Sequence, residues 1–366
     1  MAAHPLPRRA AGTGRAQGIL RRTFHHSSFA DLDHLVSLKQ KKGLKISLAF
    51  PTLNEERTIG KEILVIRTEL MDRYPLIDEI AVIDSSSRDK TRAVAERFGA
   101  RVITSKKILP KYGTWRGKGE NLWKSLYALE GDLIVWVDAD ISNIAPKFVY
   151  GLVGPLLEDD SVSYVKAFYE RPIRTGAGAP GLLPSGGGRV TEILVRPLFS
   201  LFYPELACLI QPLSGEYAGR RELLERLPFS VGYGVELGHL IDIYHLAGCD
   251  AIAQVDLDIR IHRNQDTAAL GKMAFGILNT FFSRIGKNGL AQLLVEPGNR
   301  HISLEMEGEA HTVIRTGISA EERPPMLEIP EYREKFARFS ARSPAALLPG
   351  TTASVPDSGG AGEGQS

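Results

Sequence analysis

Asp138 and Asp140 stand one residue apart behind an apolar run, residues 133–137, so two carboxylates leave what reads as a buried strand at its carboxyl end. Such a pair can hold a divalent cation, Mg2+ or Mn2+, and the cation can grip a diphosphate. The same Asp-Ala-Asp triplet with Ala139 can also be an acidic turn that merely ends a strand. Two other apolar runs end alike. One finishes in Pro51, Thr52, Leu53, Asn54 and Glu55, the other in Asp84, Ser85, Ser86 and Ser87. Each reads as a turn with ordinary capping residues. Together they bring three polar strand ends to the sheet edge where open α/β folds bind ligands.

Two further motifs suit anions. Lys118 lies between Gly117 and Gly119 at a predicted helix start, where free amides, the helix dipole and an ammonium favour phosphate. The motif lacks the spacing of a P-loop, and a solvated surface lysine is the plain alternative. Gly186, Gly187 and Gly188 precede Arg189, Val190 and Thr191, which combine backbone amides, a guanidinium fork and a hydroxyl in one cradle for phosphate or carboxylate. Two separate cradles suggest two anionic ligands. Tyr233, Gly234, Val235 and Glu236 open another predicted helix, where Glu236 is either a favourable first-turn acid or a contact for a sugar hydroxyl. His262, close to Asn264, follows a strand-like run at 251–261; it is a surface or satisfied histidine, or a neutral imidazole that completes a metal site with carboxylates.

The elements that must position these groups alternate. Apolar runs at 45–50, 79–84, 101–104 and 132–137 intersperse with helical patterns at 56–73, 88–98 and 119–129. Short, wholly apolar runs suit strands buried on both faces, so the fold class is α/β with a mostly parallel sheet and helices on both sides. Beyond Asp140 the pattern loosens into a Gly-rich loop at 176–188 and helices near 190–202, 220–227 and 233–246. We divide the chain into a nucleotide-binding half at 23–160 and an acceptor-binding half at 161–330, flanked by segments expected to be disordered, 1–22 and 343–366.

The composition is that of an ordinary globular protein, with 43% hydrophobic and 24% charged residues among 366. Cys208 and Cys249 offer neither a disulfide framework nor zinc spacing, which fits a cytoplasmic setting. No apolar run suits a membrane span. The net charge of +2 conceals a basic arm, with Arg8, Arg9, Arg15, Arg21 and Arg22 and no acid before Asp31, ahead of a mildly acidic body. The arm reads as a solvated terminus, a transit peptide or a nucleic-acid tether; no nucleic-acid partner is expected.

In order, PTLNEE, VIDSSSRD, RGKGENLW, WVDAD, LVGPLL, SGGGRVTE, QPLSGEYA, GYGVELG, DAIAQVDL and HRN closely resemble the glucosyl-3-phosphoglycerate synthases, retaining glycosyltransferases of the GT-A fold. The resemblance spans residues 23–326. It implies transfer of glucose from a nucleotide sugar, usually UDP-glucose, to the 2-hydroxyl of 3-phosphoglycerate, with a divalent metal. It further implies that Pro51 to Glu55, Ser85, Lys118, Asp138 and Ala139 bind the nucleotide and that Tyr233 to Glu236 meet the sugar. Asp140 and His262 would ligate metal, and Gly188 to Thr191 with Asn264 would hold the acceptor. Lys118, Asp140 and Glu236 are the catalytic candidates, Glu236 as a positioning group. A homodimer is the family precedent, with apolar residues 195–209 as a candidate surface. Ser86 replaces a family-typical glycine, Ala139 replaces serine, and the first helix-to-strand segment is slightly longer. The rivals are a mannosyl-3-phosphoglycerate synthase using GDP-mannose, a dual-specificity enzyme, a nucleotidyltransferase and a nucleic-acid-binding protein.

Overall fold

Leu133, Val135 and Val137 pack into one hydrophobic layer while Ile134 and Trp136 pack into the opposite one, and all five are fully buried. Successive strand side chains point to opposite faces, so an unbroken apolar run is what a strand covered on both sides requires. The computed structural model describes residues 18–171, 173–174, 182–183, 188–261, 266–307 and 310–337.

Its strands are β1 (Thr23–His25), β2 (Ile46–Thr52), β3 (Glu79–Asp84), β4 (Arg101–Thr104), β5 (Leu133–Trp136), β6 (Tyr164–Glu170), β7 (Ile173–Arg174), β8 (Leu182–Leu183), β9 (Tyr217–Arg220), β10 (Phe229–Ser230), β11 (Ile252–Ile259), β12 (Arg300–Glu307), β13 (Ala310–Gly317) and β14 (Glu322–Arg323). Eight of them form one sheet in the order β1-β11-β6-β9-β5-β2-β3-β4. β9 runs antiparallel to both its neighbours, and the other pairings are parallel. β2, β3 and β5 are parallel neighbours, so Thr52, Asp84 and Asp138 reach the same sheet edge.

Several boundaries differ from the sequence reading. The helix expected near 220–227 shrinks to Arg221–Leu224 because residues 217–220 form β9, whose Tyr217 ring meets Trp136 at 5.3 Å. The long helix expected at 56–73 is α-helical over Ile59–Arg67 and widens into a π-helical turn, Thr68–Arg73. Disorder expected through residue 22 does not extend to 18–22: these residues make a helical turn, Ile19 is fully buried, and Arg22 donates to Ser161 Oγ at 2.9 Å. Residues 1–17 and the tail at 343–366 lie outside the described residues. Within 195–209, Val195, Phe199, Tyr203, Leu206 and Leu209 are buried while Leu201 is 75% exposed, so the run presents part of its apolar surface to solvent. The β12–β13 hairpin was not anticipated. No described helix is long and apolar enough to cross a membrane.

Candidate active site

The loops leaving the sheet edge enclose a chamber of about 620 Å³. Pro51, Thr52, Leu53 and Glu55 line it from the end of β2, Ser85 from the end of β3, and Asp138, Ala139 and Asp140 from beyond β5. Gly188, Arg189, Val190 and Thr191 also line it, as do Tyr233, Gly234 and Glu236. Asn54 and Val235 do not line it. The Asn54 side chain accepts from the Arg88 amide at 2.8 Å and so ties two loops together, while Val235 is buried in the core. His262, Asn264, Gly186 and Gly187 lie outside the described residues.

Lys118 is mostly sheltered, its side chain 19% exposed, and is held by ion pairs instead of being freely solvated. Its Nζ lies 2.6 Å from Asp138 Oδ1 and 3.1 Å from Glu236 Oε1. Burial disfavours the ammonium, but Asp138 and Glu236 more than offset this and hold its pKa well above the ordinary lysine value. The flanking glycines serve the protein's own backbone. A Cβ on Gly117 would stand 2.2 Å from Val231 O, and one on Gly119 only 1.8 Å from Ser230 O. The helix Lys118–Ala128 can therefore press against β10, and Glu120, fully buried, receives both Nε (2.7 Å) and Nη2 (2.8 Å) of Arg323.

The two aspartates have different environments. Arg260 Nη2 reaches Asp138 Oδ2 at 3.1 Å and Asp140 Oδ1 at 2.8 Å, while its Nε lies 3.2 Å from Glu216 Oε1. Burial raises the pKa of Asp138, but Lys118 and Arg260 outweigh it and hold the carboxyl well below its usual range. For Asp140 burial wins: Arg260 offsets it only in part, Asp138 and Glu216 add repulsion, and the pKa rises. The loop that carries them is pinned from below. Thr58 Oγ1 donates to Ala139 O at 2.5 Å, and the Ile141 amide donates to Glu62 Oε1 at 2.7 Å. Gly215 makes room for Asp138, since a Cβ there would fall 1.8 Å from Asp138 Oδ2.

Residue-type reasoning missed Arg260, Glu216 and Asn121. Arg260 directly follows β11, Glu216 immediately precedes β9, and a charge at the margin of each strand is the available signal. Asn121 Nδ2 donates to Ser85 Oγ at 2.8 Å and to Ile83 O at 2.9 Å, which fixes the β3 end from the neighbouring helix.

The donor set suits a divalent cation. Asp140 offers a hard oxygen ligand whose negative charge Arg260 compensates only in part, the condition in which a small oxygen-seeking cation is favoured.

A family model for glycosyl transferase family 2 matches residues 47–227. The chain is similar to the glucosyl-3-phosphoglycerate synthase of Petrotoga mobilis, at 59% identity over 320 residues, 87% of this chain and 98% of that protein. It is 46% identical to the Mycobacterium tuberculosis (strain H37Rv) protein of the same name over 290 residues, 78% of this chain and 86% of that one. Among solved structures, mannosyl-3-phosphoglycerate synthase from Rubrobacter xylanophilus superposes with a TM-score of 0.79 at 36% identity, covering 87% of this chain and 98% of that one. Glucosyl-3-phosphoglycerate synthase from M. tuberculosis in complex with Mn2+, UDP and phosphoglyceric acid superposes with a TM-score of 0.73 at 41% identity, covering 84% and 98%. The chain, with its mostly parallel sheet and its chamber at the strand ends, belongs to the glucosyl-3-phosphoglycerate synthase family.

Proposed function

We propose that this protein transfers glucose from UDP-glucose to the 2-hydroxyl of 3-phosphoglycerate, with retention at the anomeric carbon and with Mg2+ or Mn2+ bound. The observation that carries this reading is a single chamber whose lining includes two anion-seeking groups, Lys118 and Gly188 to Thr191. The first suits a diphosphate, the second a ligand bearing phosphate and carboxylate. Pro51 to Glu55, Ser85, Asp138 and Ala139 would bracket the nucleotide, Asn54 by shaping its loop. Tyr233 to Glu236 would face the sugar, Val235 from beneath, and Asn264 would join the acceptor wall. Asp140 with His262 would hold the cation, which when bound neutralises diphosphate charge.

The chain's own contribution is placement and charge. Lys118, held by Asp138 and Glu236 in the chamber lining, would offset the charge that builds on the departing diphosphate, and a largely desolvated ammonium acts strongly there. The bond from sugar carbon to diphosphate oxygen breaks, the bond to the acceptor oxygen forms on the same face, and the acceptor proton passes to a diphosphate oxygen. Glu236 keeps Lys118 and the sugar in register without attacking carbon.

A donor panel of UDP-glucose, GDP-glucose and GDP-mannose with 3-phosphoglycerate, with and without EDTA, tests this reading. UDP-glucose should give EDTA-sensitive release of UDP. Pyrophosphate release would instead mark a nucleotidyltransferase, and preference for GDP-mannose would favour the mannosyl reading that the Rubrobacter likeness supports. We also propose a cytoplasmic homodimer. That Cys208 and Cys249 form no disulfide supports the location, and the β12–β13 face bearing Ile302, Leu304, Met306 and Val313, all exposed, supports the dimer. Light scattering of Leu304→Glu should show monomers.

A further inference from the structure

Outside the chamber, His25, His26 and Asp258 converge where β1 meets β11. His25 Nε2 lies 2.9 Å from Asp258 Oδ1, and His26 Nε2 lies 2.7 Å from Asp258 Oδ2. The opposite ring nitrogens are also held: His25 Nδ1 is 2.7 Å from Ser27 Oγ, and His26 Nδ1 is 3.1 Å from Tyr150 OH. The His26 imidazole thus has a hydroxyl partner behind and a nitrogen toward Asp258 in front, the arrangement that orients a histidine ligand around a metal, while His25 Nδ1 also accepts from the Ser27 amide at 3.3 Å and must give up that contact for its Nε2 to ligate. Asp258 reaches this position through an irregular backbone. The register of β11 shifts between Asp256 and Ile259, and Asp258 has φ of 63°. Aspartate is among the few non-glycine residues that adopt this conformation, and the contacts of its carboxylate with Lys147, His25 and His26 hold it there.

We propose that His25, His26 and Asp258 form a second cation site, distinct from the chamber, for a transition metal of the zinc type. Two imidazoles and one carboxylate, the ligands at hand, suit Zn2+ better than Mg2+. All three ligand atoms already lie within 4.8 Å of one another. Tetrahedral bonds to nitrogen and oxygen need these atoms about 3.3–3.4 Å apart, so His25 Nε2 and Asp258 Oδ1, now at 2.9 Å, must open by about half an ångström, and His26 must turn from Oδ2 toward Oδ1. His25 and Asp258 are exposed enough to do so, their side chains being 46% and 43% accessible. Solvent supplies a fourth ligand. Lys147 Nζ now bonds Asp258 Oδ2 and competes electrostatically with the cation, yet leaves Oδ1 for the metal. The bound ion would clasp β1 to the bulge of β11, two residues before Arg260.

Calorimetric titration of Zn2+ into tag-free, metal-depleted protein at pH 7.5 tests the site. In the Asp140→Asn background, where chamber binding is impaired, one equivalent should remain, and adding His26→Ala should abolish it. His26→Ala alone should keep Mn2+-supported transfer within about twofold of wild type, which shows that its fold is intact. Tyr150→Phe should weaken the remaining equivalent about tenfold, and Lys147→Met should tighten it by removing a like charge. Zinc should raise the melting temperature of Asp140→Asn but not of the double variant. Equal zinc stoichiometry with and without His26, or weaker binding in Lys147→Met, would overturn the proposal and leave an ion-paired carboxylate.

Discussion

Arg260 Nη2 donates to Asp140 Oδ1 at 2.8 Å, yet the Asp140 carboxyl stays above its ordinary pKa because burial outweighs that partner. Without a cation, the ionised carboxylate is a net cost to the fold. Asp140→Asn should therefore leave the metal-free protein more stable, by about 1 kcal/mol, while abolishing metal-dependent transfer. Mn2+ reverses the order: at a hundred times its dissociation constant it should stabilise wild type by about 2.7 kcal/mol and Asp140→Asn far less. Thermal unfolding of both proteins with and without Mn2+ checks this. Full activity in Asp140→Asn would remove Asp140 from the site.

Ser86 sits at φ of 68°, with its amide donating to Asp84 Oδ2 at 2.9 Å. This is where the resemblance leads one to expect glycine. A left-handed serine costs about 1–2 kcal/mol. Glycine relieves that but adds about 0.5–1 kcal/mol of unfolded-chain entropy. The relief wins, so Ser86→Gly should stabilise by about 0.5–1 kcal/mol in urea unfolding and leave the turnover number near wild type. Destabilisation would mean that the serine side chain matters more than its backbone.

The parallel strands were legible because their apolar runs are short, aliphatic and ended by polar residues, and Asp138 and Asp140 stood out for the same reason, whereas Lys118 stood out through its flanking glycines at a helix start. β9 was not legible. Tyr217 to Arg220 contains no periodic pattern of its own and is strand-like only because β5 and β6 flank it. Arg260 and Glu216 were missed because their role depends on contacts between strands far apart in sequence. The glycines around Lys118 were legible as a need for close approach. What approaches them is the Ser230 and Val231 backbone, which residue types alone do not reveal.

His239 is fully buried, its ring centroid 4.3 Å from that of Phe229, and neither ring nitrogen finds a hydrogen-bond partner among the described residues. Burial, with Lys166 and Arg284 nearby, pushes its pKa down from 6.5 to about 3. Between those values the unfolded chain binds a proton that the folded one refuses, so this residue's contribution to stability falls as pH drops below about 6.5. His239→Phe keeps the aromatic packing and removes the proton. Its stability relative to wild type should increase on acidification, by at most about 1.4 kcal/mol per pH unit. Urea unfolding of both proteins at pH 8, 6 and 5 measures this, and a constant difference would show that His239 does not titrate as its burial demands.

Glu236 Oε1 lies 3.1 Å from Lys118 Nζ, which places its carboxylate in an ion pair at the chamber wall. A nucleophile in a retaining transfer must reach the sugar carbon, and an ion-paired carboxylate is better suited to holding the lysine and a sugar hydroxyl. Glu236→Gln keeps the shape and one hydrogen-bonding oxygen while removing the charge. The variant should retain measurable turnover, reduced on the order of 10–100-fold because one charged contact to Lys118 becomes neutral. A residue that formed a covalent intermediate would lose nearly all activity on the same change. Intact-protein mass spectrometry separates the two roles directly: wild type incubated with UDP-glucose alone should show no added hexose. A hexose adduct mapped to Glu236 would make it the nucleophile and end the positioning assignment.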